Sequence, residues 1–264
     1  MSDLATLAIN AHGGLDRWRR FKTVSAHLVQ GGVLWKVKGQ DGVLDDVHLT
    51  VDLDKEWASH RPFGQQDRHS SFQPDRVAIE TSDGQVVEER ANPRESFKDH
   101  QFDTPWDRLQ LVYFAGYAMW TYLNTPFLFA LPGIETEELD TWQEDGASWR
   151  RLKVRFPERV ATHSAEQTFY FDQQGLLRRH DYDVDVAGGT PAAHYVSAPT
   201  EVSGIVVPDR AQDISASAGR EFCARAARGV DRHQRHRIQL DVTRTCVGGE
   251  MLFSSFLRHW RDNH

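Results

Sequence analysis

The sequence predicts a mainly β protein with a minor α component: a strongly curved antiparallel sheet or open barrel wrapped around one central apolar helix, preceded by a short N-terminal helix. Three observations predict it. Runs that alternate apolar and polar residues recur along the chain, separated by short turn-forming clusters. One passage, residues 104–133, breaks that pattern and carries no Asp, Glu, Lys, Arg or His across positions 109–134. The first residues carry helical spacing instead.

Residues 3–19 read as a short amphipathic helix, because Leu4, Leu7 and Ala8 share one face and Leu15 and Trp18 continue it past Gly13 and Gly14. The period then changes. Residues 23–39 are expected as one long strand, bent or bulged at Gly31 and Gly32. A turn at Gln40, Asp41 and Gly42 leads to residues 42–54, which alternate at Val47, Leu49, Val51 and Leu53. The clearest hairpin spans 76–90, where Asp83 and Gly84 supply a tight turn. Residues 148–157 alternate with one slip, and 166–186 form a hairpin turning at 172–175. Residues 192–199 and 200–208 read as two further strands, for roughly ten in all.

The apolar passage has the length of a membrane span. Pro126 interrupts it, Gln110 and Asn124 place amides inside it, and no Lys/Arg cluster flanks it, so a buried helix over 105–123 fits better. Thr104 is its expected N-cap, with Pro105 at the first helical position and Asp107 in the first turn. Residues 126–133 then form a short turn between Pro126 and Pro132. A helix apolar on nearly every side must be covered on nearly every side, and a curved sheet would do so. Any space left would be an apolar pocket lined by Trp106, Leu109, Tyr113, Phe114, Tyr117, Trp120 and Phe127, with Trp35 from the sheet. A simply filled core is the other reading of the same residues.

Net charge is −7 with both signs interspersed, which argues against nucleic-acid binding. Asp3 sits where a secretory leader would be basic, so a cytoplasmic location is expected. Two cysteines, Cys223 and Cys246, give neither a disulfide framework nor a zinc pattern.

Motifs for chemistry are sparse. His12-Gly13-Gly14 looks like an esterase oxyanion loop, yet no G-x-S-x-G elbow accompanies it; the nearest stretch, 215–219, lacks the first Gly. No H-E-x-x-H, facial triad or C-x-x-C appears, and no Walker or Rossmann glycine pattern, so neither metal nor cofactor is expected. His233 and His236 form an isolated H-x-x-H pair. In residues 178–183, His180 would share a strand face with Tyr182 while Asp181 and Asp183 point the other way. A solvated strand face is the default there. If the cavity carries polar groups, the candidates on the concave face are His60, Arg61, Glu80, Arg94, His180 and His194.

The order of elements, a short helix ending in AHGG, the strand TVSAHLVQGG, a strand-rich body and a central apolar helix, resembles the lipoprotein-carrier-like (LolA/LolB-like) fold over about residues 3–207. The body also resembles a bacterial protein group of unassigned activity carrying DRVAIET, TPWD, GYAMWTYL and LLRRHDY. The resemblance implies an antiparallel half-barrel with a lipid-sized cavity and an apolar ligand class.

Beyond Pro208 the composition changes: the last 56 residues hold ten Arg, no Lys and both cysteines. A basic tail contacting nucleic acid or an acidic partner is one reading. A slipped coding frame is the stronger one. With permitted codons, the neighbouring frame over 220–240 reads GNFAPEPRVVSIDINAIEFS, a turn followed by a strand pattern. The sequence is thus divided into a half-barrel domain, 1–208, and an anomalous, poorly ordered tail, 209–264. The function expected is binding of an apolar or lipid-like small molecule. A metal-independent enzyme of hydrolase or isomerase type, acting on a small hydrophobic substrate in the same cavity, is the alternative; a structural or interaction module without ligand is a third.

Overall fold

The computed structural model describes residues 1–215 and 236–243. Two six-stranded meanders make up most of it. The first runs through β1 (Thr23–Val29), β2 (Asp46–Asp52), β3 (Ala58–Arg61), β4 (Arg68–Gln73), β5 (Arg76–Thr81) and β6 (Val86–Ala91). The second runs through β7 (Glu135–Glu144), β8 (Ala147–Arg155), β9 (Glu166–Phe171), β10 (Leu177–Val184), β11 (Thr190–Val202) and β12 (Ile205–Ser215). A last strand, β13 (His236–Thr243), lies between β1 and β12 and joins the meanders into one 13-stranded antiparallel sheet. Its edges, β6 and β7, stand at opposite ends of the strand order, so the sheet is an open half-barrel.

Alternation decides which face is inside. β1 and β2 pair over their full lengths, so Val24, Ala26 and Leu28 lie opposite Val51, Leu49 and Val47, all buried. Helix α4 (Arg108–Asn124) packs on this concave side against β2–β6. Only Arg108, Met119 and Tyr122 of its residues are not buried. Gly116 lets the helix approach closely, because a Cβ there would collide with the Phe72 ring on β4. Helix α1 (Asp3–Ala11) packs against β8, and α2 (Leu15–Trp18) brings Trp18 into a 4.2 Å stack with Phe127. The mainly β half-barrel around a central apolar helix is therefore the fold that forms, and no helix among the described residues is long and apolar enough to cross a membrane.

Several elements differ from the sequence reading. The expected long strand over 23–39 ends at Val29, and Val33–Val37 is a helical turn, α3. Tertiary contacts override its β-branched residues. Trp35 meets Phe114 edge-on at 6.1 Å, and the following Lys38 is fully buried, its Nζ donating to the carbonyls of Gln101 and Thr104 at 3.2 Å each. Helix α4 begins later than expected. Its N-cap is Asp107, not Thr104, because Asp107 and Gln110 form a reciprocal capping box. Strands β3, β4 and β7 had no clear alternation, and residues 192–202 form one strand rather than parts of two.

Strand β12 passes through Pro208 without a break and pairs with β11 as far as Ala192↔Ser215. Cys223, His233 and Cys246 lie outside the described residues, as do 216–219 of the elbow-like stretch.

Candidate functional site

The residues expected to line a pocket are buried together in the core, where they pack ring against ring. Trp106 lies 4.8 Å from Phe114, Tyr113 5.3 Å from Tyr117, and Phe114 5.4 Å from Tyr117. Trp35, Leu109, Trp120 and Phe127 are likewise buried in the same core. Trp120 Nε1 donates to the carbonyls of Asp52 and Lys55, which ties the helix to the β2–β3 connection.

The expected polar residues divide sharply. His60 sits in the core facing α4, with its imidazole Nδ1 3.3 Å from Ser70 Oγ. Burial alone lowers its pKa to about 4, so it is a neutral core histidine. Arg61 and Glu80 are not on the concave face. Strand alternation turns them outward, where Arg61 bonds Ser82 and Glu80 meets His69 at 3.3 Å and Arg76 at 3.7 Å. Arg94 lies in the 3-10 turn Pro93–Phe97 and clamps the Thr162 carbonyl and Asp185 at 3.1 and 2.8 Å.

His180 and His194 do come together. They are directly opposed in the β10–β11 register, so both face inward. His180 is buried, which corrects the expectation of a solvated strand face. Its ring stacks on Phe169 at 3.9 Å, and its Nε2 lies 2.6 Å from Gln167 Oε1. Burial first, then neighbouring His163 and His194, push His180 well below its ordinary pKa.

Around this pair the fold gathers residues that the periodicity had not marked. Tyr122, in the last turn of α4, stacks on His194 at 4.2 Å. Its hydroxyl lies 2.9 Å from His163 Nε2 and 2.5 Å from the Tyr182 hydroxyl. His163 and Tyr182 stack at 3.8 Å. The irregular β8–β9 connection holds His163 in place: Asp185 N donates to the His163 carbonyl at 3.1 Å, and Gln167 Nε2 bonds Thr162 Oγ1 and the Ser164 carbonyl at 2.8 Å. The one signal for Tyr182 in the sequence was that it shares a strand face with His180. His163 lies in a segment without periodicity, and Tyr122 was hidden in a uniformly apolar helix. Hydroxyls and imidazoles here can donate and accept hydrogen bonds within an otherwise apolar interior. Among the described residues, no group of three or more His, Cys, Asp or Glu is placed to hold a metal ion.

His12-Gly13-Gly14 is a packing joint. The His12 carbonyl accepts from Val206 N at 3.1 Å, and a Cβ on Gly13 would run into the Gly204 carbonyl of the β11–β12 turn.

Solved structures with similar chain paths exist. A LolA superfamily protein from Nitrosomonas europaea is 9% identical, with 92% of this chain and 94% of that chain covered and a TM-score of 0.49. A DUF1329 family protein from Desulfovibrio piger is 10% identical, with 90% of each chain covered and a TM-score of 0.40. Lipoprotein LppX from Mycobacterium tuberculosis is 16% identical, with 69% and 90% covered and a TM-score of 0.25. No family model matches the chain, and no curated protein does.

Proposed function

We propose that this protein binds an apolar or lipid-like small molecule on the concave side of its curved sheet, against α4. The observation that carries the reading is the convergence of Tyr122, His163, Tyr182, His180 and His194 inside an apolar interior. Burying polar side chains opposes folding unless they are bonded, and a packed core does not need them. An apolar interior with a few convergent polar groups is the usual form of a small-molecule site. Met119 and Tyr122, three residues apart and so on one face of α4, keep partial exposure beside the cluster and give a ligand its approach.

The enzymatic alternative would call for a buried His–carboxylate pair facing the helix. Two histidine ion pairs, His27–Asp46 and His69–Glu80, lie on the opposite face of the sheet. The convergence of polar side chains in an apolar interior supports the binder. Native mass spectrometry of the purified full chain, with solvent extraction of the same sample, tests it. The expected result is a co-purifying apolar molecule lost on extraction and regained on adding lipid extract. A ligand-free spectrum that stays unchanged with added lipid would remove the reading.

A further inference from the structure

Between α1 and β1 the chain presents a concentration of positive charge that the binding reading does not use. Residues 15–22 carry Arg17, Arg19, Arg20 and Lys22 against one carboxylate, Asp16, in a chain whose net charge is −7. All four cations are exposed, while Trp18 and Phe21 between them are buried. The two rings hold the turn from inside. Trp18 stacks on Phe127 at 4.2 Å, Phe21 N donates to the Trp18 carbonyl, and Arg20 N donates to the Arg17 carbonyl. Arg17 is steadied by the Gly204 carbonyl at 2.7 Å, and Lys22 by Asp54 at 2.5 Å. Among the described residues, the side chains of Arg19 and Arg20 make no hydrogen bond or ion pair, so their charge faces outward unspent.

We propose that this basic turn docks the protein on an anionic lipid surface. Each basic residue near such a surface is attracted by its negative potential, and the attractions add. The turn lies at one end of the molecule: β1 begins directly after it at Thr23, and Phe127, beneath Trp18, stands three residues past the last residue of α4, Asn124. A plane of anionic head groups can meet that end without touching the sides of the sheet. A long polyanion such as a nucleic acid lies along a protein and contacts many cations. Here it would meet Glu88 and Glu89, exposed on β6, and Glu135, Glu137 and Glu138, exposed on β7. The charge distribution therefore fits a flat anionic surface. This inference goes beyond the binding reading and does not depend on it.

The test is co-sedimentation of the full chain with vesicles of phosphatidylcholine alone, and of phosphatidylcholine and phosphatidylglycerol in equal parts, at about 0.15 M and about 1 M ionic strength. The expected result is binding to the anionic vesicles that disappears at the higher ionic strength, with little binding to the neutral ones. Arg19→Gln combined with Arg20→Gln should weaken it roughly 25-fold, about fivefold for each charge removed. Lys36→Gln combined with Lys98→Gln removes the same net charge from exposed positions at the far end of β1, where Trp106 N meets the Lys38 carbonyl. That pair should change binding by less than about twofold, because it lies beyond the screening length from the docked end. All four positions are exposed, so the fold is expected to stand in both variants, which circular dichroism checks. The arginines after Pro208 are common to every protein compared, so the contrast between the two pairs reports the turn alone. No preference for anionic vesicles, an equal loss in both pairs, or binding unchanged at high ionic strength overturns the docking surface.

Discussion

Glu56 shows how one side chain can record its surroundings. It lies in the β2–β3 connection, where its Oε2 accepts from Ala161 N at 3.2 Å. Its Oε1 is buried and has no partner among the described residues. Burial raises the carboxyl to about 8, opposed only in part by the Ala161 amide, so it is protonated at neutral pH. The sign of the linkage follows. The folded state holds a proton that the unfolded chain releases near its ordinary carboxylate pKa. The stabilising contribution is full below that value, and stability falls as pH rises toward 8. Glu56→Gln keeps the shape and cannot ionise. Urea midpoints at pH 5 and pH 8.5 should therefore shift in favour of the variant at the higher pH. A difference between the two proteins that does not change with pH would refute the buried, protonated state.

At the scale of elements, α4 depends on its first turn. Asp107 accepts from Gln110 N at 2.8 Å, Gln110 Oε1 accepts from Asp107 N at 2.9 Å, and Arg90 pairs with the same carboxylate at 2.7 Å. Asp107→Ala is expected to cost about 1–2 kcal/mol, with Asp107→Asn retaining roughly half of the loss as the cap survives and the ion pair does not. Chemical denaturation of both variants checks this, and an unchanged midpoint for Asp107→Ala would show that the cap is dispensable. The same helix marks what was legible in the chain. Its existence and burial followed from an unbroken apolar run, and the hairpins at Asp83-Gly84 and 172–175 followed from turn chemistry. Its start was misplaced because Thr104 and Pro105 imitate a cap, while the actual box needed Gln110 to be read as a cap partner and not as an interrupting amide. Strand β7 was not legible because both its faces are largely polar, and α3 was not because Trp35 and Lys38 find their partners in a distant segment. Of the site, local period showed only that His180 and Tyr182 share a strand face, not that this face is the inner one. Arg61 and Glu80 could be placed on the correct face only once the register of β3 and β5 was known.

For the whole molecule, β13 decides whether there is one sheet or two. Among the described residues it pairs with β1 from Thr23↔Thr243 to Val29↔Arg237, and with β12 at Arg210↔Arg237 and Ala211↔His236. We read the chain after about Pro208 as the product of a slipped frame, and a chain carrying the neighbouring frame is expected to hold the β1–β13–β12 junction more firmly. Hydrogen exchange should then show stronger protection of the β1 amides, with a higher urea midpoint, in the restored chain. Equal protection in the two chains would sink the slipped-frame reading. Pairing the first strand with the last also has a consequence in time. At translation rates of roughly 5–20 residues per second, β1 waits on the order of 10–40 s for its partner to be made. Throughout that interval Val24, Ala26 and Leu28 border an open backbone edge, so the newborn chain is most vulnerable to mispairing during synthesis. One half of the sheet therefore keeps an unpaired edge until β13 has been made.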